Sequence, residues 1–113
     1  MYQDKVVLCG ANSYEEKYYL NPDFDNLPDH IKEELKIMCV LYVHDVGGIL
    51  TLVYEEDGSL QMEVTSEGFD PMFDEIGSVL KIKQIQSDPE KQKLLEQLEL
   101  YYKVFYLGEE IDE

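Results

Sequence analysis

Two β-prone stretches on either side of an Asp-Gly pair restrict the fold more than any other part of this sequence. They are residues 49–55 and 60–65, and Asp57-Gly58 between them is a strong signal for a tight turn joining antiparallel strands. Apolar and polar residues alternate along the second stretch, as in a strand with one face in the core. The first stretch is apolar on both faces, which is typical of a central strand. The chain therefore predicts an antiparallel sheet with one core face and one polar, acidic face.

The N-terminal residues predict a second hairpin. Residues 5–9 are predicted to form a short strand, residues 10–13 a turn, and residues 16–20 the return strand. Residues 21–26, Asn-Pro-Asp-Phe-Asp-Asn, have the composition of a loop.

A first helix is predicted to begin near Pro28, because proline suits the first helical turn and Asp29 suits the positive end of the helix dipole. Apolar residues at helical spacing continue this helix to Gly47-Gly48, which supplies a stop. Residues 37–43 are apolar on every side and rich in β-formers, so a strand over 37–43 is the alternative. We prefer a helix because no breaker interrupts the pattern.

A repeated start signal predicts two more helices. Asp70-Pro71 and Asp88-Pro89 each place an N-cap residue before a proline at the first helical position. The last helix should continue to about Leu107, with Gly108 as its stop. In the helix predicted to begin at Asp70-Pro71, successive turns are marked by Phe73, Ile76, Val79 or Leu80, and Lys83.

These elements predict an α+β fold in the order ββαββαα. About four antiparallel strands, arranged as two hairpins, should pack against two to three helices. We expect residues 1–108 to form a single domain and residues 109–113 to form an acidic, disordered tail.

The last helix carries apolar residues on two sides. One stripe contains Leu94, Leu98, Tyr101 and Phe105, widened by Leu95 and Tyr102. A helix with two apolar sides usually has two packing partners, and the second could be the N-terminal hairpin or another copy of the chain. We therefore predict a self-association surface, and with it a homodimer, formed by Leu100, Tyr101, Tyr102, Val104 and Leu107.

Charge restricts the possible partners. The chain has 25 acidic residues, nine lysines and no arginine, for a formal charge of −16. Nucleic acids and anionic membranes are bound by clusters of lysine and arginine, so neither is expected as a partner. No lysine or arginine lies between Lys36 and Lys81. A solvated, solubilising surface would account for this acidity, and an acidic face that binds a basic protein is the functional interpretation. We predict such a face on the second hairpin, at Glu55, Asp57, Glu63 and Glu67.

No residue pattern predicts a catalytic, cofactor or metal site. The serines lack a Gly-x-Ser-x-Gly elbow, and Gly47-Gly48 lacks the residues of a phosphate loop. Cys9, Cys39 and the two histidines lack paired metal-ligand spacing. The sequence therefore favours a non-enzymatic, cytoplasmic protein-interaction or adaptor domain that needs no cofactor. Two other functions stay open: a small-ligand sensor or minor enzyme with a pocket between sheet and helices, and an acidic inhibitor or immunity-type protein that mimics nucleic acid.

Five stretches of the chain carry a resemblance to known proteins: residues 5–12, 37–41, 47–52, 74–78 and 101–103. They resemble a small bacterial family of unknown function. The resemblance spans nearly the whole chain, and it implies a bacterial, single-domain, cytoplasmic protein without a characterised activity to carry over. A weaker likeness, to roadblock-type and secretion-chaperone-type domains, rests on element order and on the Gly-Ile-Leu-Thr-Leu and Asp-Gly residues of the second hairpin, and it implies no function.

Overall fold

Two hairpins lie side by side in one four-stranded antiparallel sheet, which three helices cover. The computed structural model describes residues 5–68 and 70–108, so the acidic tail expected at 109–113 lies outside the described residues. The α+β fold and the order ββαββαα are confirmed. The elements are β1 (Val6–Asn12), β2 (Lys17–Leu20), α1 (Asp29–Val46), β3 (Ile49–Tyr54), β4 (Leu60–Thr65), α2 (Glu75–Ser87) and α3 (Pro89–Phe105), with a short 3-10 turn at Pro22–Phe24.

The strand order is β2-β1-β3-β4, which puts β3 in the interior of the sheet as its apolar composition predicts. Around the Asp-Gly turn, Tyr54 pairs with Leu60 and Ile49 pairs with Thr65. Leu50, Leu52 and Tyr54 are fully buried on the face that the helices cover. The other face carries the exposed polar residues of β4, Gln61, Glu63 and Thr65.

Strand β1 is longer than predicted. It continues through Gly10 to Asn12, where we expected a turn, because these residues pair with both β2 and β3. The turn begins at Ser13, whose amide donates to the Gly48 carbonyl at 3.0 Å. The Asn12 side chain then accepts hydrogen bonds from the amides of the next turn residues, Tyr14 and Glu15.

Residues 37–43 lie within helix α1, so the helix that we preferred is confirmed over the alternative strand. Met38, Cys39, Tyr42 and Val43 are buried, whereas Ile37, Val40 and Leu41 face outward. The apolar run is therefore a helix whose outer side is unusually apolar. After the helix, Gly48 has a φ of +82°, and a Cβ there would lie 2.6 Å from the Thr65 carbonyl oxygen, so only glycine fits this junction.

Helix α2 begins four residues later than predicted. Its N-cap is Asp74, whose carboxylate accepts from the Gly77 amide at 2.8 Å. The carboxylate of Asp70, the expected cap, instead accepts from the Met72 amide and from the Tyr14 hydroxyl, which holds a turn.

Helix α3 begins as predicted, with Asp88 as its N-cap, and it ends at Phe105 rather than Leu107. Its buried residues are Leu94, Leu98 and Tyr102, which belong to the same core as the sheet. Phe105 was predicted on the core stripe, yet it is 70% exposed, whereas the next residue, Tyr106, stacks on the buried Phe24. No described helix has the length and apolarity that a membrane crossing requires.

Candidate functional site

The outer side of α2 presents three large apolar side chains to solvent. Ile76, Val79 and Leu80 are 77%, 51% and 61% exposed, and they follow the i, i+3, i+4 spacing of one helix face. The inward side of the helix carries Ser78 and Ile85 instead. We call the three exposed residues the α2 apolar face. Contiguous apolar surface on a helix is typical of a site that contacts another molecule.

A groove of about 380 Å³ lies where the three helices meet. Its lining includes Ile37 and Leu41 of α1, which are half exposed, and the buried side chains of Met38, Ile85 and Leu94. The Tyr42 hydroxyl donates to the Ser78 carbonyl at 2.9 Å, which fixes α2 against α1 beside this groove.

Four carboxylates line the same three-helix groove: Glu34, Asp45, Asp88 and Glu90. Lys81 lies 2.7 Å from Asp45, and its hydrogen bond lowers the pKa of that carboxyl. Lys91 lies 3.8 Å from Asp88. Within residues 5–68 and 70–108, Glu34 and Glu90 have no ion pair. The groove thus combines an apolar lining with a net negative edge.

The four carboxylates predicted on the second hairpin do not converge on one point. Lys5 lies 3.1 Å from Glu63 and 3.5 Å from Glu55, and these two carboxylates raise the pKa of Lys5. Asp57 lies in the turn, where hydrogen bonds from the Ser59 amide and hydroxyl lower its pKa. Glu67 is exposed beyond the other end of β4. Because a six-residue strand spans about 20 Å, Glu67 lies about that far from Asp57 in the turn. The surface is acidic but already partly neutralised by Lys5.

Tyr102 and Tyr106, at the end of the C-terminal helix, pack against other aromatic rings of the chain. The ring of Tyr102 stacks on Tyr54 at a centroid distance of 4.1 Å and on Tyr106 at 5.0 Å, and Tyr106 stacks on Phe24 at 5.0 Å. The Tyr106 hydroxyl donates to the Asp23 carbonyl at 2.9 Å. Burial raises the pKa of Tyr102.

The five residues predicted for self-association are divided between the core and the surface. Tyr102 is a core residue, because its ring fills the space between Tyr54 and Tyr106. Tyr101 and Val104 are half-buried. Leu100 and Leu107 are exposed, and Leu107 lies over Gly58 in the β3–β4 turn.

A larger groove of about 830 Å³ lies between the β1–β2 hairpin and the C-terminal half of α1. Ala11, Val43 and Val46 form its buried apolar lining, and Lys17 and Lys36 contribute from the two elements. We call it the helix–hairpin groove.

The described residues, 5–68 and 70–108, contain no group of three or more His, Cys, Asp or Glu side chains that could hold a metal ion. The two thiols meet inside the core, with 3.8 Å between the Sγ atoms of Cys9 and Cys39. The contact with Cys9, together with burial, raises the pKa of Cys39 well above its usual value. A buried neutral thiol of this kind is a poor nucleophile.

Sequence reasoning missed the α2 apolar face. It identified Ile76, Val79 and Leu80 as the residues that mark the turns of the helix, without showing that they point outward. A usable signal was Ser78, a small residue in the helical pattern, which lies buried on the side of the helix that packs against α1.

A family model described as a family of unknown function (DUF6145) matches residues 5–110. No curated protein and no solved structure matches the chain. The resemblance to a family of unknown function is confirmed, and no activity comes with it.

Proposed function

Because this chain belongs to the DUF6145 family, for which no function is assigned, we propose its function from surface chemistry: it is a non-enzymatic protein-interaction domain that binds a basic partner. The observation that carries the proposal is the exposed α2 apolar face of Ile76, Val79 and Leu80. Burying such side chains against a partner contributes about 1.5–3 kcal/mol each when burial is complete.

Charge supports a basic partner. Asp70, Asp74 and Glu75 lie at or just before the start of α2, and no lysine or arginine occurs between Lys36 and Lys81. A second copy of this chain is disfavoured on this face, since it would bring the same acidic residues beside α2 towards one another. A protein segment with apolar side chains flanked by lysine or arginine would match both the α2 apolar face and the acidic residues beside it.

The acidic hairpin face has a secondary role in this proposal. Glu55, Asp57, Glu63 and Glu67 would attract a basic partner over a distance and raise the association rate, and this effect weakens with salt. The cytoplasm is the compartment we propose for the interaction.

The first experiment compares partner capture by three forms of the full chain. The wild type, the Ile76→Ser/Leu80→Ser variant and the control Tyr19→Ser are immobilised and exposed to lysate of the source cells. Tyr19 is an exposed aromatic residue on the sheet, away from α2. We expect a basic protein that binds the wild type and Tyr19→Ser and is lost from the α2 variant.

The captured protein is then purified and titrated. Loss of two apolar contacts should raise the Kd about tenfold or more, because 1.4 kcal/mol corresponds to a factor of ten. Equal Kd values for the wild type and Ile76→Ser/Leu80→Ser would refute the proposed surface. A captured nucleic-acid-binding protein that is displaced by DNA would favour the inhibitor function instead.

A further inference from the structure

We propose that the helix–hairpin groove is a binding site for a small amphipathic carboxylate, a carboxylic acid with an apolar chain. The proposal is independent of the α2 apolar face. The groove volume of about 830 Å³ lies within the range of small-molecule sites, about 300–1,000 Å³. Ala11, Val43 and Val46 are almost fully buried in its lining, and the partly exposed Val40 continues this apolar strip along α1.

Two lysines give the groove its charge preference. Lys17 lies on β2 and Lys36 on α1, so the two lysines come from different walls of the groove. In the part of the chain that the structure describes, neither lysine makes an ion pair. Both lysines are therefore available to an external anion bound in this apolar groove.

The other charged groups in the groove do not cancel this preference. Asp45 is bound by Lys81 at 2.7 Å and lies 3.7 Å from His44, which also lines the groove. Glu16, next to Lys17 in the chain, is the remaining carboxylate of the lining and offsets one of the two lysines. Because Lys81 balances Asp45, Lys17 and Lys36 still leave one net positive charge for a ligand head group.

The chemistry of the lining favours a carboxylate over a phosphate. Phosphate sites are commonly built from arginine forks or glycine-rich backbone nests, and this chain has no arginine. Two ammonium groups can each donate to one carboxylate oxygen, and the valine strip can contact the chain of the acid. Such a ligand would contact both the lysines and the valine strip of the groove.

The test uses decanoate as the probe and decyltrimethylammonium as its charge-reversed match. Binding to the full chain is measured by isothermal titration calorimetry and by the shift in melting temperature, which ligand binding raises by mass action. We expect decanoate to bind and to raise the melting temperature, and the cation to do neither.

Three variants locate the site. Lys17→Gln/Lys36→Gln should weaken decanoate binding about tenfold or more, because it removes both charge-assisted hydrogen bonds. Val40→Asp should abolish binding by placing a carboxylate on the apolar strip, at a position that tolerates change because it is partly exposed. Lys93→Gln, a charge change on α3, should bind decanoate like the wild type. Absence of binding at millimolar decanoate, equal binding by Lys17→Gln/Lys36→Gln, or equal binding of the cation would overturn the proposal.

Discussion

At the residue scale, the buried tyrosines differ in whether their hydroxyl groups are satisfied. The Tyr54 hydroxyl donates to the Leu98 carbonyl at 2.8 Å, which ties the sheet to α3. The Tyr18 hydroxyl is buried beside the thiols of Cys9 and Cys39 and has no hydrogen-bond partner among the described residues. Burial raises the pKa of both phenols, so both stay protonated at neutral pH.

Removing the two hydroxyl groups should therefore have opposite effects. We expect Tyr54→Phe to lower the free energy of unfolding by about 1 kcal/mol, because a buried hydrogen bond is lost. Tyr18→Phe should leave it unchanged or raise it by about 1 kcal/mol, since an unsatisfied buried hydroxyl is removed. Urea unfolding followed by circular dichroism measures both values, and a Tyr18→Phe protein less stable than Tyr54→Phe would contradict this interpretation.

At the element scale, local patterns predicted the elements, and long-range contacts decided their ends and faces. The β3–β4 hairpin and α1 follow from turn chemistry and helical spacing, which act within a few residues. The start of α2 could not be predicted in this way, because Asp70-Pro71 and Asp88-Pro89 look alike locally. The Asp70 carboxylate accepts from the Tyr14 hydroxyl, 56 residues away, as well as from the Met72 amide. The exposed side of α2 depends likewise on how the helix packs against α1.

Helix α2 should respond to mutation according to which side is changed. Ile85 is 5% exposed, so Ile85→Ala should lower the free energy of unfolding by about 2–5 kcal/mol through loss of packing. Leu80→Ala on the outer side should change it by less than about 0.5 kcal/mol. Denaturant titration of both variants measures the difference. A large loss for Leu80→Ala would place the α2 apolar face against other parts of the chain and remove the basis of the proposed partner site.

At the scale of the whole molecule, the open question is self-association in a chain of charge −16. We propose that the exposed Leu100 side of α3, with Val104 and Leu107, contacts a second copy. Charge repulsion opposes this contact, so we expect the dimer to strengthen as salt screens the charges. Sedimentation velocity should show a dimer for the wild type at micromolar concentration and a monomer for Leu100→Glu. A wild-type monomer at every salt and protein concentration would contradict the homodimer.

The position of β1 in the sheet affects how the chain folds as it is synthesised. Strand β1 is made first, yet one of its edges pairs with β3, some forty residues further along the chain. Until Tyr54 has left the ribosome, the first hairpin leaves that edge unpaired, with the apolar residues Val6–Cys9 on it. Closing this long-range contact is slow compared with forming either hairpin or helix α1. Nascent chains in which β1 has emerged from the ribosome and β3 has not are therefore the ones most exposed to edge-to-edge aggregation, and they have the greatest need of a chaperone.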